Sequence, residues 1–140
     1  MLFRSDQSLM LIPRMGANAE IAAACLHSEG YRAETLPMPS RDDVRVGRRH
    51  TSGKECVPMM LTTGALLNRI ERDRDTSEKF TFVMPTANGP CRFGMYNVLH
   101  KVILEKTGWD SRVNVFSPDD GDYFRDTSAE FNAKLWIRIR

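Results

Sequence analysis

Two cysteines stand where a strand pattern and a helix pattern meet. Cys91 lies in N-G-P-C-R-F-G, after the apolar run F-T-F-V-M-P at residues 80–85, and Cys56 lies in S-G-K-E-C-V-P, before a helical pattern. The free N–H groups and the macrodipole at a helix N-terminus favour a negatively charged sulfur. The neighbouring Lys54 and Arg92 favour the thiolate as well. Because the thiolate is the form that binds metals and attacks electrophiles, these two residues are the candidate functional cysteines.

Other interpretations of these cysteines stay open on local sequence alone. They can be small apolar residues at helix ends, a common role of free cysteine. They can form a disulfide, which a reducing compartment disfavours, or bind zinc with His50 and His100, although the spacing matches no familiar zinc motif. Cys25 differs, because the pattern places it in mid-helix on the face of Ile21, and we expect it to pack in the core.

The composition bounds the class of protein. The chain has 140 residues, of which 41% are hydrophobic and 27% charged, which indicates one globular domain rather than a disordered segment. Its 20 basic and 18 acidic residues give a net charge of +2, which argues against nucleic acid as a partner. We expect no membrane association, because no apolar run approaches the length of a bilayer span. Three cysteines and no signal peptide indicate a cytoplasmic protein.

The hydrophobic pattern predicts four strands and three helices. Short apolar runs predict strands at residues 8–13, 33–37, 80–84 and 112–118. Helical spacing predicts helices at residues 18–31, where Asn18 is expected to be the N-cap, at 58–72, and at 92–107 with Gly108 as C-cap. The polar segment 38–55 predicts a long loop with at most one helical turn.

The alternation of elements predicts the fold. The order β-α-β-α-β-α-β indicates an α/β three-layer sandwich with a mostly parallel four-stranded sheet. Every strand candidate ends at or beside a proline, which stops the ladder at the carboxyl edge, where ligands bind in such sheets. We therefore expect Cys91 and Cys56 to share that edge. Residues 1–126 are expected to form the cysteine-bearing domain, and residues 127–140 a weakly defined tail.

Three further segments carry weaker signals. The glycine content of M-G-A-N at residues 15–18 is too low for a nucleotide-binding loop. The D-D-G-D stretch at residues 119–122 lacks the ligand spacing of a calcium loop, so a solvated turn is the favoured interpretation. The basic segment at residues 45–54 is either solvated or a grip for an anionic substrate such as a coenzyme A phosphate, with Arg48, Arg49 and Lys54 on the substrate side.

Three blocks of the sequence go beyond generic patterns. They are L-I-P-R-M-G at residues 11–16, G-R-R-H-T-S-G-K-E-C-V-P at 47–58, and M-P-T-A-N-G-P-C-R-F-G-M-Y-N at 84–97. Over residues 9–124 the chain resembles the acyl-CoA dehydratase activase-related proteins, also called CoA-substrate-specific enzyme activases. These proteins contain a region similar to the iron–sulfur subunit of 2-hydroxyacyl-CoA dehydratases.

The resemblance implies a cysteine-ligated iron–sulfur cluster of the [4Fe–4S] type. Cys56 and Cys91 match cysteines of the family and are the implied ligands, while Arg92 is expected to tune the potential of the cluster. In the related dehydratases an ATP-dependent activator supplies one electron to the cluster. The electron passes to a 2-hydroxyacyl-CoA thioester, which then loses water. The implied partners are therefore an activator component and a CoA thioester.

The chain differs from the family in two respects, the missing ATPase half and the small number of cysteines. It lacks the ATPase half with its glycine-rich loops, so no ATPase activity is expected, and the isolated chain is expected to be inactive. Two cysteines are too few for a cubane, which normally takes three or four protein ligands. We therefore expect a truncated member whose remaining ligands come from a further cysteine-bearing domain or subunit. The alternative is a non-catalytic interaction domain that has lost the cluster and only docks a partner subunit.

Overall fold

The computed structural model describes residues 8–73, 77–87 and 89–117. Some predicted features lie outside these residues. They are Pro118 at the end of the fourth strand, the acidic turn at residues 119–122, and the tail at residues 127–140.

Four strands form one sheet in which every neighbouring pair is parallel. The order across the sheet is β2-β1-β3-β4, and Met10 pairs with both Ala33 and Thr81 in the ladder. This confirms the predicted α/β sandwich and its parallel sheet. The strands are β1 (Ser8–Ile12), β2 (Ala33–Thr35), β3 (Lys79–Val83) and β4 (Val113–Phe116).

Four α-helices and one 3-10 turn connect the strands. The last helix ends at Gly108, whose φ of 76° is left-handed and suits glycine, as the sequence predicts. The helices are α1 (Asn18–Ser28), α2 (Arg41–His50), α3 (Val57–Arg72) and α4 (Tyr96–Thr107), and the 3-10 turn is Arg92–Met95. None of them combines the length and apolar character that crossing a bilayer requires, within the ranges given above.

The helices cover the sheet on both faces. Because successive strand residues point to opposite faces, Met10 and Ile12 pack with α1, while Leu11 packs in the larger core with α3 and α4. That larger core contains Phe80 and Phe82 of β3, which are almost fully buried. Cys25 belongs to α1, on the opposite face of the sheet from α3 and α4.

Helix α2 corrects the prediction of a loop over residues 38–55. Ser40 caps this ten-residue helix, because its hydroxyl accepts from the N–H of Asp43 while the Asp43 carboxylate accepts from the N–H of Ser40. Burial alone would raise the pKa of Asp43, but the hydrogen bonds from Ser40 and Asn68 outweigh it and hold that pKa below its ordinary value. The capping box therefore starts a helix that has few apolar residues.

Helix α2 is held against α3 by backbone contact at two glycines. A Cβ on Gly47 would lie 1.9 Å from the Met60 carbonyl oxygen, and one on Gly64 would lie 1.8 Å from the Asp43 carbonyl oxygen. The partner residue numbers fall along α3 as they rise along α2, so the two helices are antiparallel. Because α3 runs from the carboxyl to the amino edge of the sheet, the last turn of α2 lies at the carboxyl edge.

Two predictions for α1 were wrong. Asn18 is the first helical residue rather than the N-cap, and no side chain caps this helix. Its buried face carries Ala19 and Leu26, whereas Ile21 is 52% exposed and Cys25 is half-buried. The predicted core face was therefore rotated away from the observed one.

His100 joins α4 to α3 in the core. Its Nδ1 donates to the Tyr96 carbonyl oxygen at 2.7 Å, and the hydroxyls of Thr62 and Thr63 lie 3.4 Å from Nε2. The ring also packs edge-on against Phe82, with centroids 5.0 Å apart. Burial is the main cause that lowers the pKa of His100 to about 4. With both ring nitrogens engaged, His100 is not a zinc ligand in this arrangement.

Replacing Gly47 or Gly64 with alanine should destabilise the protein. The added methyl meets backbone rather than a flexible side chain, so the helices must separate, at a cost of roughly 3 kcal/mol in unfolding free energy. Chemical denaturation measures this cost. The control is Ala24→Ser, which adds one atom at an exposed position of α1 and should change stability by less than about 0.5 kcal/mol. Alanine variants as stable as this control would contradict the observed contact.

The lowered pKa of His100 predicts a pH dependence of stability. Above pH about 6.5 the ring is neutral in both states, but below it the unfolded chain binds a proton that the folded chain excludes until pH about 4. Stability should therefore fall by about 3 kcal/mol across this window as the pH decreases. Denaturation of His100→Gln should show a flatter profile over the same range. His50→Gln, at an exposed position, should keep the wild-type slope.

Candidate functional site

Cys56 occupies the N-cap position of α3. Its backbone is extended, with φ of −66° and ψ of 149°, and its carbonyl oxygen accepts from the N–H of Met59 at 3.0 Å. Pro58 stands in the first turn, where its missing N–H costs nothing. No side chain caps this helix, so its free N–H groups stay beside the cysteine. The half-buried thiol packs against the larger core.

Cys91 occupies the same position before the 3-10 turn. Its φ of −71° and ψ of 130° resemble those of Cys56, and its carbonyl oxygen accepts from the N–H of Gly94 at 3.2 Å. Unlike Cys56, this residue is exposed. The two predicted cysteines therefore have matching backbone roles at the starts of two neighbouring helical segments.

The G-P-C-R-F-G segment has a structural reason for its glycines. Gly89 has a φ of 118°, which side-chain-bearing residues rarely adopt. A Cβ on Gly94 would lie 2.5 Å from the Ala87 carbonyl oxygen, so only glycine lets the 3-10 turn pack against the loop after β3. Thr86 fixes the same contact through a 3.0 Å hydrogen bond to the Gly94 carbonyl oxygen. Together these contacts set the position of Cys91.

A pocket of about 250 Å³ opens between the first turns of α3 and α4. Arg92 helps to close it, because its guanidinium donates to the Lys54 carbonyl oxygen and so ties the 3-10 turn to the loop before α3. The α3 side of the pocket is lined by Lys54, Glu55, Cys56 and Met59. The α4 side is lined by Arg92, Met95, Tyr96 and Leu99.

Tyr96 lines the pocket together with Cys56. Burial is the largest cause that raises the pKa of Tyr96 to about 12, followed by a hydrogen bond from its hydroxyl to Cys56 and by the electrostatic effect of Cys56 and Cys91. Its ring is also fixed by edge-on packing against Phe93, with centroids 5.2 Å apart. Cys56 and Arg92 both line the pocket, whereas the exposed Cys91, next to Arg92 in the chain, does not line it.

Glu55 shapes the loop before Cys56. Ser52 donates to its carboxylate at 2.9 Å. Burial would raise the pKa of Glu55, but backbone N–H groups of Glu55, Ser52 and Gly53 and the Ser52 hydroxyl together lower it. Sequence reasoning missed both Glu55 and the role of Tyr96. The serine and glutamate three residues apart in S-G-K-E, directly before a helix, are the signal that could have indicated Glu55.

The basic residues divide into two groups. Lys54 lines the pocket. Arg48 and Arg49 are exposed in the last turn of α2 and do not line it. His50 is exposed on the same turn. The basic segment at residues 45–54, predicted as part of a loop, is therefore mostly the end of a helix.

Two sulfurs are the donors that the described part of the chain offers at this site. Residues 8–73, 77–87 and 89–117 contain no group of three or more His, Cys, Asp or Glu side chains that could hold a metal ion. A cluster with three or four protein ligands would therefore need donors from elsewhere. Two thiolates would be a partial ligand set for such a cluster.

Comparisons with known proteins add no family assignment. The chain matches no protein-family profile, no curated protein and no solved structure.

Replacing Glu55 with glutamine should loosen the loop before Cys56 and make the Cys56 thiol more accessible. The amide lacks the charge that holds the N–H groups of the loop, so iodoacetamide should alkylate Cys56 several-fold faster, as measured by mass spectrometry, while the rate at Cys91 stays unchanged. In the wild type the pKa of Glu55 is lowered, so the ionised carboxylate orders the loop at every pH above the ordinary pKa of a carboxyl group. The loop should loosen when the pH falls through the lowered pKa and the carboxylate is protonated.

The matched control for this experiment is Glu105→Gln, which changes an exposed carboxylate on α4. Equal Cys56 alkylation rates in the two variants would contradict a role of Glu55 in ordering the loop.

Proposed function

We propose that this domain supplies two thiolate ligands, Cys56 and Cys91, to an iron–sulfur cluster of a 2-hydroxyacyl-CoA dehydratase-like or related ATP-driven reductase system. The observation that carries the proposal is the pairing of these cysteines. Each precedes a helical segment at the same edge of a parallel sheet, and both influence the buried Tyr96. Soft thiolates are the ligands that iron–sulfur clusters require.

The residues around the cysteines suit a redox centre. A bound cluster would supply one-electron chemistry, and the chain would provide its surroundings.

 Lys54 and Arg92 place positive charge beside the sulfurs, which favours the reduced, more negative state of a cluster. Met59 and Leu99 form apolar walls that limit the access of water. Tyr96 donates a hydrogen bond to Cys56, of the kind that tunes the potential of a ligating sulfur.

The proposal includes partners that this part of the chain does not contain. A further cysteine-bearing domain or subunit supplies the remaining ligands, and an ATP-dependent activator supplies the electron. A CoA thioester is the proposed substrate of the assembled system, and Lys54 lies on its side of the pocket. We place the assembly in the cytoplasm, where a reducing environment keeps the cysteines free.

A second candidate function rests on the exposure of Val57 and Met95, which are 59% and 60% exposed beside the pocket. Large apolar side chains around a site suit a protein partner. The second candidate is therefore a non-catalytic interaction domain that keeps the fold but binds no cluster.

Reconstitution under anaerobic conditions separates the two candidates. The full chain is incubated with iron, sulfide and an excess of a small thiol, which completes the coordination that two cysteines cannot provide. The proposal predicts visible-range charge-transfer absorption that Cys56→Ser and Cys91→Ser each reduce to background. Cys25→Ser, on the opposite face of the sheet, is the matched control and should keep the absorption. A colourless wild type, or colour that survives Cys56→Ser, contradicts the proposal.

A further inference from the structure

Most of the exposed large apolar residues lie at one end of the molecule. Among the described residues, those that are 45–69% exposed occur only in loops that follow strands or in the first turns of helices. Because the sheet is parallel and α1, α3 and α4 begin at its carboxyl end, these positions belong to that end, except for Met38, which lies just before the start of α2. We call the other five residues the carboxyl rim, and they are Met15, Ile21, Val57, Met95 and Val98.

Among the described residues, the same end carries basic side chains without ion-pair partners. Arg48 and Arg49 lie exposed in the last turn of α2, and Lys54 and Arg92 lie at the pocket. Within residues 8–73, 77–87 and 89–117 none of these four makes an ion pair. Two described carboxylates at this end are engaged, since Glu20 pairs with Arg14 and Glu55 accepts from Ser52 in its own loop.

We propose that the carboxyl rim is the docking surface for a different polypeptide whose contacting face is apolar and acidic. Apolar residues on such a face would bury Val57 and Met95, and carboxylates would meet Arg48 and Arg49. A second copy of this chain is a poor occupant, because a twofold contact would oppose the same basic residues. The rim surrounds the cysteine pocket, so, resting on the proposed function, this partner is the one that completes the ligand set.

Site-specific photo-crosslinking tests the surface. Benzoylphenylalanine is placed at Val57, at Met95 and, as a control, at Lys106 in the last turn of α4, and the full chain is expressed in its native cells. The expected result is an adduct with one and the same polypeptide from both rim positions and none from Lys106. An adduct with the chain itself, an equal adduct from Lys106, association with lipid vesicles instead of a polypeptide, or no adduct overturns the proposal.

Binding of the identified polypeptide then tests the chemistry of the surface. The double variant Arg48→Glu with Arg49→Glu, and separately Met95→Ser, should each weaken binding roughly tenfold, and added salt should weaken the wild-type complex. Lys106→Glu should leave the affinity unchanged. All these positions are exposed, and circular dichroism verifies folding. Unchanged affinity in the rim variants overturns the proposal.

The experiments can refute the docking proposal and the cluster proposal independently of each other. If Cys56→Ser with Cys91→Ser still binds the polypeptide while the wild type forms no chromophore, the docking surface stands and the cluster proposal falls. If the wild type forms a chromophore but no rim position gives an adduct, the cluster proposal stands and the docking proposal falls.

Discussion

The common direction of the four strands is the constraint on which the site depends. In a parallel sheet every strand ends at the same edge, so every connection begins there. The helical segments that follow Cys56 and Cys91 therefore start side by side, although 35 positions separate the two residues in sequence. The tie between Arg92 and the Lys54 carbonyl, and the contacts of Tyr96, then hold the two starts together. The topology of the sheet therefore determines that both helix starts lie at its carboxyl edge, whichever ligand binds there.

Much of the fold could be predicted from local pattern. The strands at β1, β2, β3 and β4 are short apolar runs bounded by proline or glycine, and their spacing leaves room only for crossover connections. Helix α2 could not be found in this way, because its contact with α3 is made by the backbone at Gly47 and Gly64 and not by an apolar stripe. Its capping residues Ser40 and Asp43 were the sequence signal for a helix start, but the polar composition of the segment led to the prediction of a loop.

The site could be predicted only in part, for a related reason. Cys56 and Cys91 could be identified from the sequence because each stands directly before a predicted helix. Tyr96 looks like one more apolar residue of an amphipathic helix, and its hydroxyl matters only because the fold brings it to Cys56. The separation of Lys54 from Arg48 and Arg49 depends on where α2 ends, which the predicted loop left undefined.

The central claim is that Cys56 and Cys91 open into one site. A short bifunctional thiol reagent such as dibromobimane measures this directly in the full, metal-free chain, with the product located by peptide mapping. A shared site predicts an intramolecular bridge between Cys56 and Cys91, formed in the native protein and lost after denaturation. Separate single modifications of the two cysteines, or a bridge that involves Cys25, would contradict it.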